Sequence, residues 1–184
     1  MKKVVYLSSL IVSLVLISSC AHQPPPVPQW RYAREAIHLQ IHADANLNLH
    51  EGKPHTLMIC IYQLSRKSGF NSLTEEIDGR YKLLECQPFD GTVANTKRLI
   101  IHPGDQLNLL MDRFEGARHL AIVAGYYLLQ KKRIIRMVDF PVITEKHGFM
   151  GNKTTTRVGK LNLKVMFGDQ QIKGIGIKET RGAQ

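Results

Sequence analysis

From Ala36 the chain alternates between apolar and polar positions. Ile37, Leu39, Ile41, Ala43, Ala45, Leu47 and Leu49 are apolar, and His38, Gln40, His42, Asp44, Asn46 and Asn48 lie between them. A period of two predicts a half-buried strand, because successive side chains point to opposite faces of a sheet. Glu51-Gly52-Lys53-Pro54 ends the pattern with turn residues. Leu57–Leu64 and His119–Leu129 are apolar on both faces, the mark of central strands. Arg98–His102 and Gln106–Asp112 flank the turn Pro103-Gly104-Asp105. Arg133–Phe140, Lys160–Phe167 and a weaker Ile172–Lys178 complete the set, with Leu161, Leu163, Val165 and Phe167 pointing inward. Residues 70–77 and 80–84 place apolar side chains three and four apart among helix formers, which predicts one or two short helices. Gly148–Thr156 reads as a loop. Seven to eight short strands between turn signals predict an all-β fold, a β-sandwich with a short helical insertion.

The first 35 residues follow other rules. Lys2 and Lys3 precede an apolar run from Val4 to Ile17, and Ile17-Ser18-Ser19-Cys20 closes it. A basic start, a short apolar stretch and small residues at the end make a secretory signal peptide, residues 1–19. The run is shorter than the roughly 20 residues that span a bilayer as a helix. Its last four residues resemble the lipobox of bacterial lipoproteins, which implies diacylglycerol and an N-acyl chain (palmitate chemistry) on Cys20. Ala21 and His22 follow, and neither is the aspartate associated with retention at the inner membrane. The expected place is therefore the periplasmic face of the outer membrane. Residues 20–35 form a tether in which Pro24, Pro25, Pro26 and Pro28 favour a semi-rigid polyproline spacer. The sandwich domain is expected over residues 36–178, with a flexible tail at 179–184.

Composition adds limits. Without residues 1–19, which hold two lysines and no acids, the formal charge falls from +10 to +8. No basic run exceeds Lys131-Lys132-Arg133, so a solvated basic surface is the plain reading, and nucleic acid is not an expected partner in this compartment. With Cys20 assigned, Cys60 and Cys86 remain. An oxidising compartment favours a disulfide between them, and two separately buried thiols are the alternative.

Candidate chemistry is thin. His38 and His42 lie roughly 13 Å apart on one strand face at about 3.3 Å per residue, too far to share an ion. His50 and His55 straddle a turn without a cysteine or carboxylate set beside them. Ser65, Ser68 and Ser72 lack a nucleophile elbow, and Glu75-Glu76 sits on a polar stretch. No catalytic residue, metal site or cofactor is expected beyond the acyl chains on Cys20. The chain reads as an adaptor.

Several short motifs carry a family resemblance. Leu47-Asn48, Gly52-Lys53-Pro54, Ile59–Leu64, the helical segment from Phe70 to Leu73, Leu83-Leu84, Ile101–Gly104 and Ala121–Tyr126 occur in that order. Across residues 36–167 the chain resembles the TssJ (SciN/VasD) outer-membrane lipoproteins of type VI secretion systems. The family's "wR" pair is represented only by Ile135-Arg136. The resemblance implies a transthyretin-like β-sandwich and a partner, the periplasmic C-terminal domain of TssM, in the TssJ–TssL–TssM membrane complex. It also implies that the connection between the first two strands makes the contact: Asn46, Leu47, Asn48, Leu49, His50, Glu51, Gly52 and Lys53. Leu47 and Leu49 are equally consistent with continuing the inward alternation into the core. A different class of function, a generic ligand-binding or pilotin-like periplasmic lipoprotein, predicts a deep apolar pocket instead.

Overall fold

The computed structural model describes residues 26–148 and 153–177. The signal peptide, Cys20, the first prolines of the tether and the tail from residue 178 lie outside the described residues.

Among the described residues, ten strands and three short helices follow in chain order: β1 (Ala33–Ala43), β2 (Leu57–Leu64), α1 (Ser68–Glu75), α2 (Ile77–Leu83), β3 (Val93–Ile101), β4 (Gln106–Arg113) and β5 (His119–Ala124). Then come α3 (Lys131–Ile134), β6 (Ile135–Asp139), β7 (Val142–His147), β8 (Lys153–Val158), β9 (Leu161–Phe167) and β10 (Ile172–Ile177). One sheet has the order β10-β9-β1-β4 and the other β3-β2-β5-β6. The alternation explains the packing: Ile37, Leu39 and Ile41 of β1 and Leu161, Leu163, Val165 and Phe167 of β9 are all buried. They face Leu57, Ile59 and Ile61 of β2 and Leu120, Ile122 and Ala124 of β5 across the core. Burying such aliphatic side chains contributes about 1.5–3 kcal/mol each, and this burial is the main force holding the two layers together.

The central strands of the second sheet, β2 and β5, are apolar on both faces because the outer face is covered there too. Tyr62, Phe70 and Phe89 meet with ring centroids 5.8–6.3 Å apart, seating the α1–α2 insertion on β2. The Tyr62 hydroxyl donates to the Leu83 carbonyl at 2.7 Å, and burial pushes its pKa up to about 12. A disulfide joins Cys60 of β2 to Cys86 just beyond α2, with Cα atoms 5.2 Å apart.

Two polar side chains stitch the layers. Gln63 is buried, donates to the Asp112 carbonyl and accepts from the Phe114 N–H, both at 2.8 Å. Arg136 of β6 donates to the Ile172 carbonyl of β10, closing the other side of the sandwich. Replacing Gln63 with Leu leaves one buried donor and one buried acceptor unpaired, so a loss of roughly 2–4 kcal/mol in urea unfolding is expected. An unfolding midpoint equal to that of the parent protein would remove Gln63 from this role.

Several boundaries differ from the sequence reading: β1 begins at Ala33 rather than Ala36, and β3 at Val93 rather than Arg98. The first strand stops at Ala43, because the Asp44 carboxylate accepts the Asn46 N–H at 2.9 Å and the Asp44 carbonyl accepts the Leu47 N–H. The fifth strand stops at Ala124, where Gly125 donates back to the Met58 carbonyl. Residues 131–134 form a helical turn, so the strand expected from Arg133 begins at Ile135 instead. Much of the expected loop 148–156 is strand: β8 pairs with β7 as a separate two-stranded ribbon. Its residues 149–152 lie outside the described set. β7 and β8, neither of which the sequence reading has as a strand, raise the count from seven or eight to ten among the described residues while the sandwich stands.

Strand direction gives the molecule two ends. β1 runs from the tether to the β1–β2 connection, parallel to β9. The tether end gathers Trp30, the β4–β5 turn (114–118) and the start of β9. The opposite end gathers the β1–β2 connection, the residues after β5 and the β9–β10 turn. An eleven-residue β1 separates the two by roughly 36 Å at about 3.3 Å per residue.

Candidate functional site

The connection from Asp44 to Thr56 is pinned at its base rather than hanging free. Asn48 and Leu49 donate N–H groups to the carbonyls of Gly168 and Asp169 in the β9–β10 turn, at 3.2 and 2.7 Å. Asn48 adopts φ +48° and its side-chain amide donates to the Thr56 carbonyl at 3.0 Å. Asp44 also accepts an ion pair from Lys173 at 2.8 Å, and the hydrogen bond from Lys173 holds its carboxyl below the usual range.

At the tip, His50 and Lys53 exchange both backbone hydrogen bonds at 2.9 Å. Glu51 and Gly52 between them have φ +49° and +74°, the paired left-handed conformation of a two-residue hairpin. A glycine adopts that conformation at no steric cost, which accounts for Gly52.

The side chains of this end divide clearly. Leu47 is fully buried and belongs to the core, so of the two open readings for this leucine the packing one holds. Asn48 is buried, Leu49 is half-buried, and Asn46, His50, Glu51, Gly52 and Lys53 are exposed or nearly so. The His50 ring stacks on Tyr127 at 3.8 Å with planes 15° apart, and His55 meets the same ring edge-on at 5.7 Å. Tyr127 and Leu128 are each 54% exposed, a paired apolar projection beside the hairpin. Tyr126 turns the other way: it is buried, donates to the Gln171 carbonyl at 2.9 Å, and burial raises its hydroxyl pKa. A cleft of about 300 Å³ runs between Leu49, Tyr127, Leu128 and Gln170.

The sequence points to the hairpin but not to Tyr127, Leu128 or Gln170. Tyr127 and Leu128 belong to an apolar run that reads as one long strand, and Gly125 is the signal that the strand ends before them. His38 and His42 sit half-buried on the outer face of the first sheet, opposite Leu110 and Gln106 of β4. Among the described residues no group of three or more His, Cys, Asp or Glu side chains could hold a metal ion. Among the same residues no helix is long and apolar enough to cross a membrane.

Exposed aromatic and aliphatic side chains on a rigid base, rimmed by His50, Glu51 and Lys53, have the composition of a protein-binding patch. Fold and site thus define a small transthyretin-like β-sandwich with an exposed hairpin and an aromatic–aliphatic projection at one end. The chain belongs to the type VI secretion lipoprotein family (VasD, EvfM, TssJ), whose sequence pattern matches residues 35–169. No curated protein sequence matches it. Among solved structures, the type VI secretion lipoprotein TssJ1 from Pseudomonas aeruginosa is 21% identical, with a TM-score of 0.54 over 85% of this chain and 99% of that one. A chain in the structure of the TssM C-terminal domain (869–1107) from EAEC is 16% identical, with a TM-score of 0.51 over 78% and 98%. A chain of a type VI membrane complex is 15% identical, with a TM-score of 0.52 over 82% and 100%. At these identities the likeness carries the fold.

Proposed function

We propose that this lipoprotein is held in the outer membrane by acyl chains on Cys20, facing the periplasm, and grips the C-terminal periplasmic region of a TssM-type inner-membrane protein. The observation that carries this reading is the placement of the hairpin and the Tyr127–Leu128 projection at the end opposite the tether. A linker between two membranes needs its attachment and its grip on different ends, and β1 separates them here. Family membership and the likeness to chains in TssM-containing and membrane-complex structures support the same partner. The role is attachment, with no catalytic step assigned to any residue.

Within the patch, Tyr127 and Leu128 supply apolar contact while His50, Glu51 and Lys53 select the partner by charge and hydrogen bonding. Tyr127→Ala is expected to weaken capture of the purified TssM periplasmic region by roughly 2 kcal/mol, about 30-fold in Kd by titration calorimetry. Its melting temperature should hardly move, because the ring is half-exposed. Leu47→Ala should do the reverse, lowering stability by about 2–5 kcal/mol and leaving affinity intact in the folded fraction. Unchanged affinity in both Tyr127→Ala and a Glu51→Lys, Lys53→Glu double variant would place the grip elsewhere.

A further inference from the structure

The tether end carries a surface that the proposed grip does not use. β1 enters through a bulge: Ala33 faces Arg113 and Ile37 faces Met111, so residues 34–36 stand against Asp112 alone. Glu35 takes φ +47°, a left-handed conformation uncommon for a residue with a side chain. The Asp112 carboxylate secures it, accepting the Glu35 N–H at 2.8 Å and the Tyr32 hydroxyl. Bulges of this kind re-aim side chains. Here Tyr32 is turned out of the sheet, 49% exposed, and meets the 40% exposed Phe114 edge-on at 6.0 Å.

Trp30 is fixed beside them. Its carbonyl accepts the Gly116 N–H at 2.7 Å, and the guanidinium carbons of Arg113 and Arg118 lie 5.9 and 5.6 Å from its ring centre. Arg31, Arg34, Arg66 and Arg118 are exposed at this end. Of the acids, Glu35 and Glu115 are exposed, Asp112 is engaged as described, and Asp139 is paired with Lys67 and His119. Amphipathic aromatic rings with arginines around them are the side chains that settle at a membrane–water boundary.

We infer that the surface formed by the half-buried Trp30, by Tyr32 and Phe114, and by the exposed Arg31, Arg34, Arg66 and Arg118 rests on anionic phospholipid headgroups. The occupant follows from where the chain goes next: Trp30 lies ten positions after Cys20, a reach of at most about 36 Å at roughly 3.6 Å per residue. The inference rests on Cys20 carrying the acyl chains, because that attachment keeps this end within reach of the bilayer at high effective concentration. Arginines attracted by anionic headgroups and rings at the interface then hold the sandwich in one orientation, with the hairpin end pointing into the periplasm.

Trp30 is the single tryptophan of the chain, so its fluorescence reports on this surface alone. The experiment uses the full lipidated protein reconstituted into vesicles of phosphatidylethanolamine and phosphatidylglycerol, with and without lipids brominated near the headgroup. Trp30 emission is expected to be roughly halved by the brominated lipid, as befits a ring at interface depth. An Arg31→Glu, Arg34→Glu variant should float with the vesicles equally well yet lose that quenching. Protein that floats while its emission is the same in both lipids overturns the docking and leaves the anchor standing. Protein that does not float overturns both.

Discussion

A Cys20→Ser chain is expected to become extractable from the membrane by carbonate and to stop supporting type VI secretion. The serine hydroxyl cannot form the thioether, so no acyl chain is added and the leader is not removed at this position. Each buried acyl methylene contributes about 0.8 kcal/mol, and stable anchoring takes more than one chain. What remains is the apolar run Val4–Ile17, shorter than the roughly 20 residues that span a bilayer. Mass spectrometry should find residues 1–19 still attached, and the TssM periplasmic region should still bind the extracted protein, because the hairpin end is untouched. Normal secretion by a Cys20→Ser strain would take the tether out of the mechanism.

The second large effect concerns the Cys60–Cys86 bond. Its sequence separation of 26 residues encloses both α1 and α2, and closing such a loop contributes roughly 3 kcal/mol through the entropy of the unfolded chain. A Cys60→Ala, Cys86→Ala variant should therefore melt about 6–12 °C lower for a domain of this size. Cys86 also sits at φ +56°, a backbone conformation that alanine disfavours, so the double variant loses the bond and keeps the strain. The insertion should loosen first: Arg80 and Lys82 of α2 should become sites of limited tryptic cleavage while the Trp30 end stays protected. An unaltered melting curve in the double variant, or under reductant, would mean that the Tyr62–Phe70–Phe89 packing alone holds the helices down.

How much of this is legible in the sequence depends on the residue. Leu57–Leu64 and Leu161–Phe167 announce themselves because burial on one or both faces leaves a pattern in hydrophobicity. The β7–β8 ribbon pairs with neither main sheet, and Lys153, Thr154, Thr155 and Thr156 are all polar, so the alternate half-burial of β8 leaves no hydrophobic pattern to read. The first strand looks longer than it is because Leu47 stays core-facing after the Asp44 turn, preserving the parity of the pattern by a different backbone route. At the site, Asn46–Lys53 can be singled out by motif order. Tyr127 cannot, since a tyrosine beside a buried tyrosine looks like strand until the hydrogen bond from Gly125 to Met58 is seen. The bulge at Glu35 is equally silent, because what stabilises it is Asp112, far away in sequence.

The parallel pairing of β1 with β9 sets residue 37 against residue 161 at the centre of one sheet. A chain threaded through a membrane from its N-terminus cannot complete that pairing until nearly all of it has crossed. Contacts this distant in sequence fold slowly, because the long loop must close before they are gained. The same strand order that gives the mature protein two ends therefore leaves its central pairing to form late, after the end of the chain that carries β9 has crossed.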